Sequence, residues 1–180
     1  MKRISLASLI LALGLTVLSA CGGSSAPQPP LYQPTTAVLT LSTTVTGTIP
    51  AGTTINSYDI TLTLPAGVRL KSTSNPPETD AGVVTVIGPP ATAGSVLSAI
   101  YTEATGTTGG SVKVQIASGS GFTAGDLCKI ECNIDQGAHP RTSDFVMPTL
   151  NDATGFDTNT SSTVPGLKGE LSLTATAVIK

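Results

Sequence analysis

From Thr36 onward the chain alternates apolar and polar residues with a period of two, the repeat of an extended strand whose side chains point to opposite faces. Over 36–46 the pattern sets Ala37, Leu39, Leu41 and Val45 on one face, with Thr and Ser mostly on the other. Over 55–64 it sets Tyr58, Ile60, Leu62 and Leu64 inward and Asp59, Thr61 and Thr63 outward. Short apolar runs follow at 68–71 and 83–87, and a further strand at 95–102 carries Val96, Leu97, Ile100 and Tyr101. At 111–117, Val112, Val114 and Ile116 alternate with Lys113 and Gln115, and over 126–134 the alternation is strict. The last strand is expected at 167–179, with Leu171, Leu173, Ala175, Ala177 and Ile179 on one face. Phe145 to Leu150 reads as one more short strand, and its Pro148 suits a sheet edge better than a centre.

Gly and Pro punctuate these runs: Ile49-Pro50-Ala51-Gly52, Pro65-Ala66-Gly67, Gly88-Pro89-Pro90 and Ser118-Gly119-Ser120-Gly121 all read as turns. Residues 72–80, 136–144 and 151–166 read as polar loops. No window after Pro30 has helical periodicity, and no internal repeat is present. About nine short strands separated by turn signals predict an all-β fold, a two-sheet antiparallel sandwich.

The first thirty residues follow a different rule. Met1-Lys2-Arg3 is a short positive start, and Ile4 to Ala20 carries only apolar and small residues. That run is at the short end of the roughly 20 apolar residues a spanning helix needs, and its flanks match a secretory signal. Leu18-Ser19-Ala20-Cys21 resembles the lipobox of bacterial lipoproteins, a Leu, a small residue, Ala or Gly, then the lipidated Cys. The resemblance implies a helical signal peptide over 1–20, cleavage before Cys21, and acylation of the Cys21 thiol and freed amine. An ordinary signal peptide followed by a chance Cys is the plainer alternative. Several acyl chains make a stable anchor, at ~0.8 kcal/mol per buried methylene. Gly22 stands where inner-membrane lipoproteins of this type often carry Asp, so the same resemblance points to the outer membrane or cell surface. Gly22 to Pro30 is a spacer by composition, flexible in its Gly/Ser half and stiff in its Pro half. The expected organisation is thus 1–20 signal peptide, 21–35 lipidated Cys and linker, and 36–180 a single β domain.

Charge narrows the partners. Of 9 basic residues, Lys2 and Arg3 leave with the signal, so 7 face 11 acidic ones and the mature chain carries net −4. That balance argues against nucleic acid, which calls for a basic patch. The charged fraction is only 11% while Thr, Ser and Gly abound, so the surface is expected to be neutral and rich in hydroxyls. Two cysteines remain beside Cys21. Cys128 and Cys132 share a strand face with Ile130 and Ile134, and four residues of strand hold them ~13 Å apart, too far for a disulfide. They are expected to be reduced thiols buried as small hydrophobes, rather than a metal pair or redox couple.

Three stretches of the domain also carry a resemblance. Tyr58-Asp-Ile-Thr-Leu-Thr-Leu-Pro-Ala-Gly-Val-Arg-Leu70 resembles the early strand pair of cohesin-like modules. Gly125-Asp-Leu-Cys-Lys-Ile-Glu-Cys132 resembles their later Gly-x-Leu-x-x-Ile-x-Phe strand, with Cys132 in place of Phe. Leu167-Lys-Gly-Glu-Leu-Ser-Leu173 resembles their final strand. The same core patterns occur in carbohydrate-binding modules of similar shape. The resemblance implies a jelly-roll, cohesin-like sandwich that holds a dockerin-like or other envelope protein through one sheet face.

Signals for catalysis are sparse. His139, the single histidine, sits in a Gly-Ala-His-Pro-Arg loop without a nucleophile motif, and the acidic residues suggest no facing pair, so no catalytic residue is assigned. The most ligand-like stretch is 151–159, where Asp152, Asp157 and Asn159 are the oxygen donors for a calcium ion. The spacing does not follow an EF-hand, and the plainer reading of the same residues is a turn-forming Asx-rich loop, with calcium the alternative. No cofactor is assigned beyond that calcium alternative. Sugar binding normally needs exposed aromatics, and the chain has no Trp and few rings free of the core. The expectation is a non-enzymatic, lipid-anchored, extracytoplasmic protein-interaction module. The alternatives are a polysaccharide-binding module and a structural envelope lipoprotein without a ligand. An apolar and hydroxyl patch on one sheet favours the first. A groove lined by Tyr101 or Phe156 favours sugar, and a uniform Thr/Ser coat favours the third.

Overall fold

The structure is a computed structural model that describes residues 33–71, 73, 77–88, 91, 94–105 and 108–180. The signal segment, Cys21 and the linker to residue 32 lie outside the described residues, so the fold concerns the compact unit Gln33–Lys180.

Ten strands form it: β1 Thr36–Val45, β2 Thr53–Thr63, β3 Val68–Leu70, β4 Val84–Val86, β5 Ser95–Thr102, β6 Ser111–Phe122, β7 Gly125–Ile134, β8 Thr149–Asp157, β9 Ser162–Val164 and β10 Leu171–Ile179. Two single-turn 3-10 helices, η1 Thr142–Asp144 and η2 Leu167–Glu170, complete the described elements. The strands make two antiparallel sheets. Sheet A runs β10-β1-β7-β3, with β4 also on β7, and sheet B runs β5-β6-β2-β8-β9. The all-β sandwich is therefore the fold, with ten strands where the pattern of turns suggests about nine.

The core lies between the sheets and is built from the inward row of each strand, the arrangement that period-two alternation dictates. Leu39, Leu41, Cys128 and Ile130 come from sheet A and meet Tyr58, Ile60, Leu62, Val112 and Val114 from sheet B, all buried. Tyr58 and Phe122 pack edge to face with centroids 5.1 Å apart.

Five expectations need correction. Ser118-Gly119-Ser120-Gly121 does not reverse the chain. It is an outward bulge inside β6, where Ile55 pairs with Phe122 and Ser57 with Ala117, leaving the four residues opposite Asn56 alone. Asn56 Nδ2 donates to the Ser118 carbonyl at 2.9 Å, and Gly121 takes φ 78°, which glycine adopts without strain. Residues 145–148 are not a strand. Phe145 and Pro148 are buried in the connection after η1, and the strand begins at Thr149.

The polar stretch 151–166 is not one loop, because it contains most of β8 and all of β9. Its inward residues are small, Ala153 and Gly155, so no apolar alternation marks them. A bulge at Asn151, between the pairs Asp59–Asp152 and Ile60–Leu150, also breaks the parity. At Gly155 a Cβ would stand 2.8 Å from Leu167 Cδ1 and 2.6 Å from Thr53 Cγ2, so the absence of a side chain is what lets η2 close over the strand. Finally, residues 167–170 form η2 rather than strand, and Val45 at the end of β1 is 41% exposed.

Candidate functional site

The outer face of sheet B is where the register assembles side chains that no single strand carries. Reading across β5, β6, β2 and β8, one rung is Val96, Ala117, Ser57 and Thr154; the next is Ser98, Gln115, Asp59 and Asp152. The third is Ile100, Lys113, Thr61 and Thr149. Alternation places Asp59, Thr61, Lys113 and Gln115 outward. Only the pairing of strands places them side by side.

Asp59 is the centre. Its Oδ2 accepts from Gln115 Nε2 at 2.8 Å and lies 3.1 Å from Lys113 Nζ, while its Oδ1 accepts from Asn151 Nδ2 at 2.8 Å. Asn151 Nδ2 also donates to Thr61 Oγ1 at 2.8 Å, and Ser57 and Thr154 share a hydroxyl bond of 2.5 Å. Partial burial disfavours the charged carboxylate. The hydrogen bonds from Asn151, Gln115 and Lys113, with the Lys113 charge, outweigh it and hold Asp59 below the usual carboxylate range. The carboxylate is therefore ionised and fixed in orientation, with two amide side chains and one cation immobilised around it.

A shallow depression of about 330 Å³ opens here, lined by Ser57, Asp59, Val96, Ser98, Gln115 and Asp152. Val96 is 73% exposed and Ile100 is 38% exposed, both on the outer row of β5 with Ser98 between them. An apolar stripe thus borders an ordered polar patch. On the outer face of sheet A, Arg69 pairs with Asp135 and Lys71 with Glu131, Ser42 Oγ donates to Asp126 at 2.6 Å, and Val178 is 52% exposed.

The residues singled out from the sequence fall elsewhere. Cys128 and Cys132 are free and buried, and burial pushes both thiols up to about 12. Leu127 is buried beside Cys128 because it is the extra residue of a bulge, with Leu41 opposite Cys128 and Ser42 opposite Asp126.

The three calcium candidates do not converge. Asp152 turns its Oδ1 back to the Ala153 N–H at 2.9 Å on the sheet face. Asp157 accepts from the Asn159 N–H and Thr160 Oγ1 at 2.8 and 2.9 Å, closing the β8–β9 turn. Asn159 Nδ2 donates to the Ala51 carbonyl. These are turn-forming contacts, and among the described residues no group of three or more His, Cys, Asp or Glu side chains is placed to hold a metal.

His139 is exposed in its loop. Tyr101 faces inward and is 6% exposed, although its edge lines a second depression of about 380 Å³ beside Arg69, Lys71, Glu103 and Asp135. Phe156, 39% exposed, pairs with Thr54 and Thr163 and has no second ring beside it. Each depression has one tyrosine in its lining, Tyr58 in the first and Tyr101 in the second, and both are buried, so neither presents an exposed ring face.

No protein-family model, curated protein or solved structure matches this chain. Among the described residues, no helix is long and apolar enough to cross a membrane.

Proposed function

We propose that this chain is an extracytoplasmic, lipid-anchored and non-catalytic module that binds a protein at the cell envelope through the outer face of sheet B. One observation carries the reading. Asp59 is ionised and locked by Asn151, Gln115 and Lys113 beside the exposed apolar stripe of Val96 and Ile100. Interfaces are favoured where apolar anchors border polar groups that are already ordered, because little entropy is lost on docking. The cohesin-like stretches point the same way, since that family holds its partner through a sheet face. Among the described residues no exposed rings stack, which favours a protein over a polysaccharide.

The anchor rests on Leu18-Ser19-Ala20-Cys21. Intact-mass spectrometry of the mature protein is expected to show a chain beginning at Cys21 with acyl chains attached; an unmodified Cys21 contradicts the tether. The binding face is tested by a pull-down from the envelope fraction of the producing cell, comparing wild type with Val96→Glu/Ile100→Glu. Because like or unpaired charge in an interface costs several kcal/mol, the double variant is expected to lose roughly tenfold or more of the captured protein. Equal capture by both, or binding to envelope polysaccharide in place of protein, overturns the assignment.

A further inference from the structure

Most sheet edges in the described residues are guarded. The free side of β5 is covered by 77–79, with the Thr79 N–H on the Ala99 carbonyl at 3.1 Å and the Tyr101 N–H on the Pro77 carbonyl at 2.7 Å. Along β8 lie β9 and η2, whose Lys168 Nζ donates to the Asn151 carbonyl at 3.2 Å. The outer strands β3, β4 and β9 are three residues long, too short to template a partner.

β10 is the exception. It presents nine residues, Leu-Ser-Leu-Thr-Ala-Thr-Ala-Val-Ile, with no charge, proline or glycine, none of the devices that normally protect an edge. Thr36 and Lys180 exchange both their backbone hydrogen bonds, at 3.1 and 2.9 Å. Antiparallel alternation then turns the backbone groups of Ser172, Thr174, Thr176 and Val178 toward β1. Those of Leu171, Leu173, Ala175, Ala177 and Ile179 turn away from it. Of that outward set, only the Leu171 N–H has a backbone acceptor among the described residues, the Lys168 carbonyl.

We infer that β10 pairs antiparallel with β10 of a second copy of this chain, about a two-fold axis at Ala175, joining two A sheets into one. Three observations select this occupant and this register. Outward-facing groups must meet outward-facing groups, and pairing Ala175 with itself does so along the whole strand: Leu173 meets Ala177, and the Leu171 carbonyl meets the Ile179 N–H. Small side chains recur in the outward-bonding row, Ala175 on the axis and Ala177 two residues from it, so the facing side chains do not crowd one another.

The same register brings Glu170 of one copy level with Lys180 of the other at both ends; one Glu170 oxygen, Oε2, accepts from the Thr48 N–H of its own chain at 2.5 Å, and the other is left to face the lysine. The core is also less complete on this side: Ala175, Ala177 and Ile179 are only partly buried, and a neighbouring strand covers them. η1 lies against β10, but among the described residues neither it nor the connection after it, which exposes Val146 and Met147, bonds the outward backbone groups of the strand.

Carbodiimide coupling of the full chain, purified in mild detergent, tests this without a variant. Within one chain Glu170 and Lys180 stand about 30 Å apart along the strand, so a zero-length link between them joins two copies. The expected result is a linked dimer whose digest contains the Glu170–Lys180 peptide. A monomer mass in sedimentation with no such peptide overturns the inference, as does a dimer linked only through other residues. Ala175→Pro adds an independent arm. The N–H it removes faces the free edge, a position proline tolerates, so the β1–β10 ladder is kept while the edge is blocked. The linked fraction is expected to fall roughly tenfold or more. An unchanged fraction overturns the inference, and the wild-type result stands alone if the variant does not fold.

Discussion

Cys128 and Cys132 sit on the inward row of β7, opposite Leu41 and Ala37, and burial holds both thiols protonated. The thiolate is the reactive species, so neither is expected to react with a maleimide at pH 8 in the native protein, and both are expected to react at once in denaturant. Fast native labelling contradicts the buried assignment. A second residue-scale test concerns Thr43 and Tyr58. Their hydroxyls approach across the core, yet neither closes a hydrogen bond of ordinary geometry. Burial pushes the Tyr58 phenol up, and the Thr43 hydroxyl opposes that only partly. Replacing both buried polar groups by apolar isosteres is nearly neutral or stabilising, so Thr43→Val/Tyr58→Phe is expected to change unfolding free energy by less than ~1 kcal/mol. A loss of several kcal/mol in denaturant titration shows a bond that the geometry does not.

At the scale of elements, β8 shows how far a pattern of residues reaches. β1, β2 and β7 were legible because apolar residues fill most inward positions, among them Leu39 and Leu41, Ile60 and Leu62, Ile130 and Ile134. In β8 the inward positions hold Ala153 and Gly155, and the Asn151 bulge shifts the parity, so its composition reads as loop. The Ser118–Gly121 bulge misleads similarly, because glycine and serine serve bulges as well as turns. Asp59, Lys113 and Gln115 were legible as outward residues, but their meeting with Asn151 depends on register, which alternation within a strand does not specify. The Gly155 contact makes β8 testable: Gly155→Val drives a side chain into Leu167 and is expected to cost about 1–3 kcal/mol, read as a lowered midpoint in urea. A substitution tolerated at no cost argues that η2 does not close over β8.

The same network sets a pH dependence. Asp59 is depressed in the folded state, so its contribution to stability is present above the carboxylate's unfolded pKa and is lost as pH falls through the folded value. Wild type is therefore expected to lose stability between pH 5 and pH 3 more steeply than Asp59→Asn. Parallel acid titrations of the two, followed by thermal unfolding, contradict the network.

For the whole molecule, the two outer faces of the sandwich differ in how their polar groups are arranged. Sheet A carries two separate ion pairs, Arg69–Asp135 and Lys71–Glu131, whereas sheet B gathers Asp59, Gln115, Lys113 and Asn151 into one network beside Val96 and Ile100. The central claim is that sheet B makes the contact, and footprinting in isolated envelopes tests it most directly. Carboxyl and amine labelling of the tethered protein, before and after washing away its partner, reads Asp59, Asp152 and Lys113 on one face against Asp126 and Lys129 on the other. The account predicts at least severalfold protection of the first three in the unwashed envelope, with the last two unchanged. Equal labelling of both faces, or protection confined to Asp126 and Lys129, contradicts it.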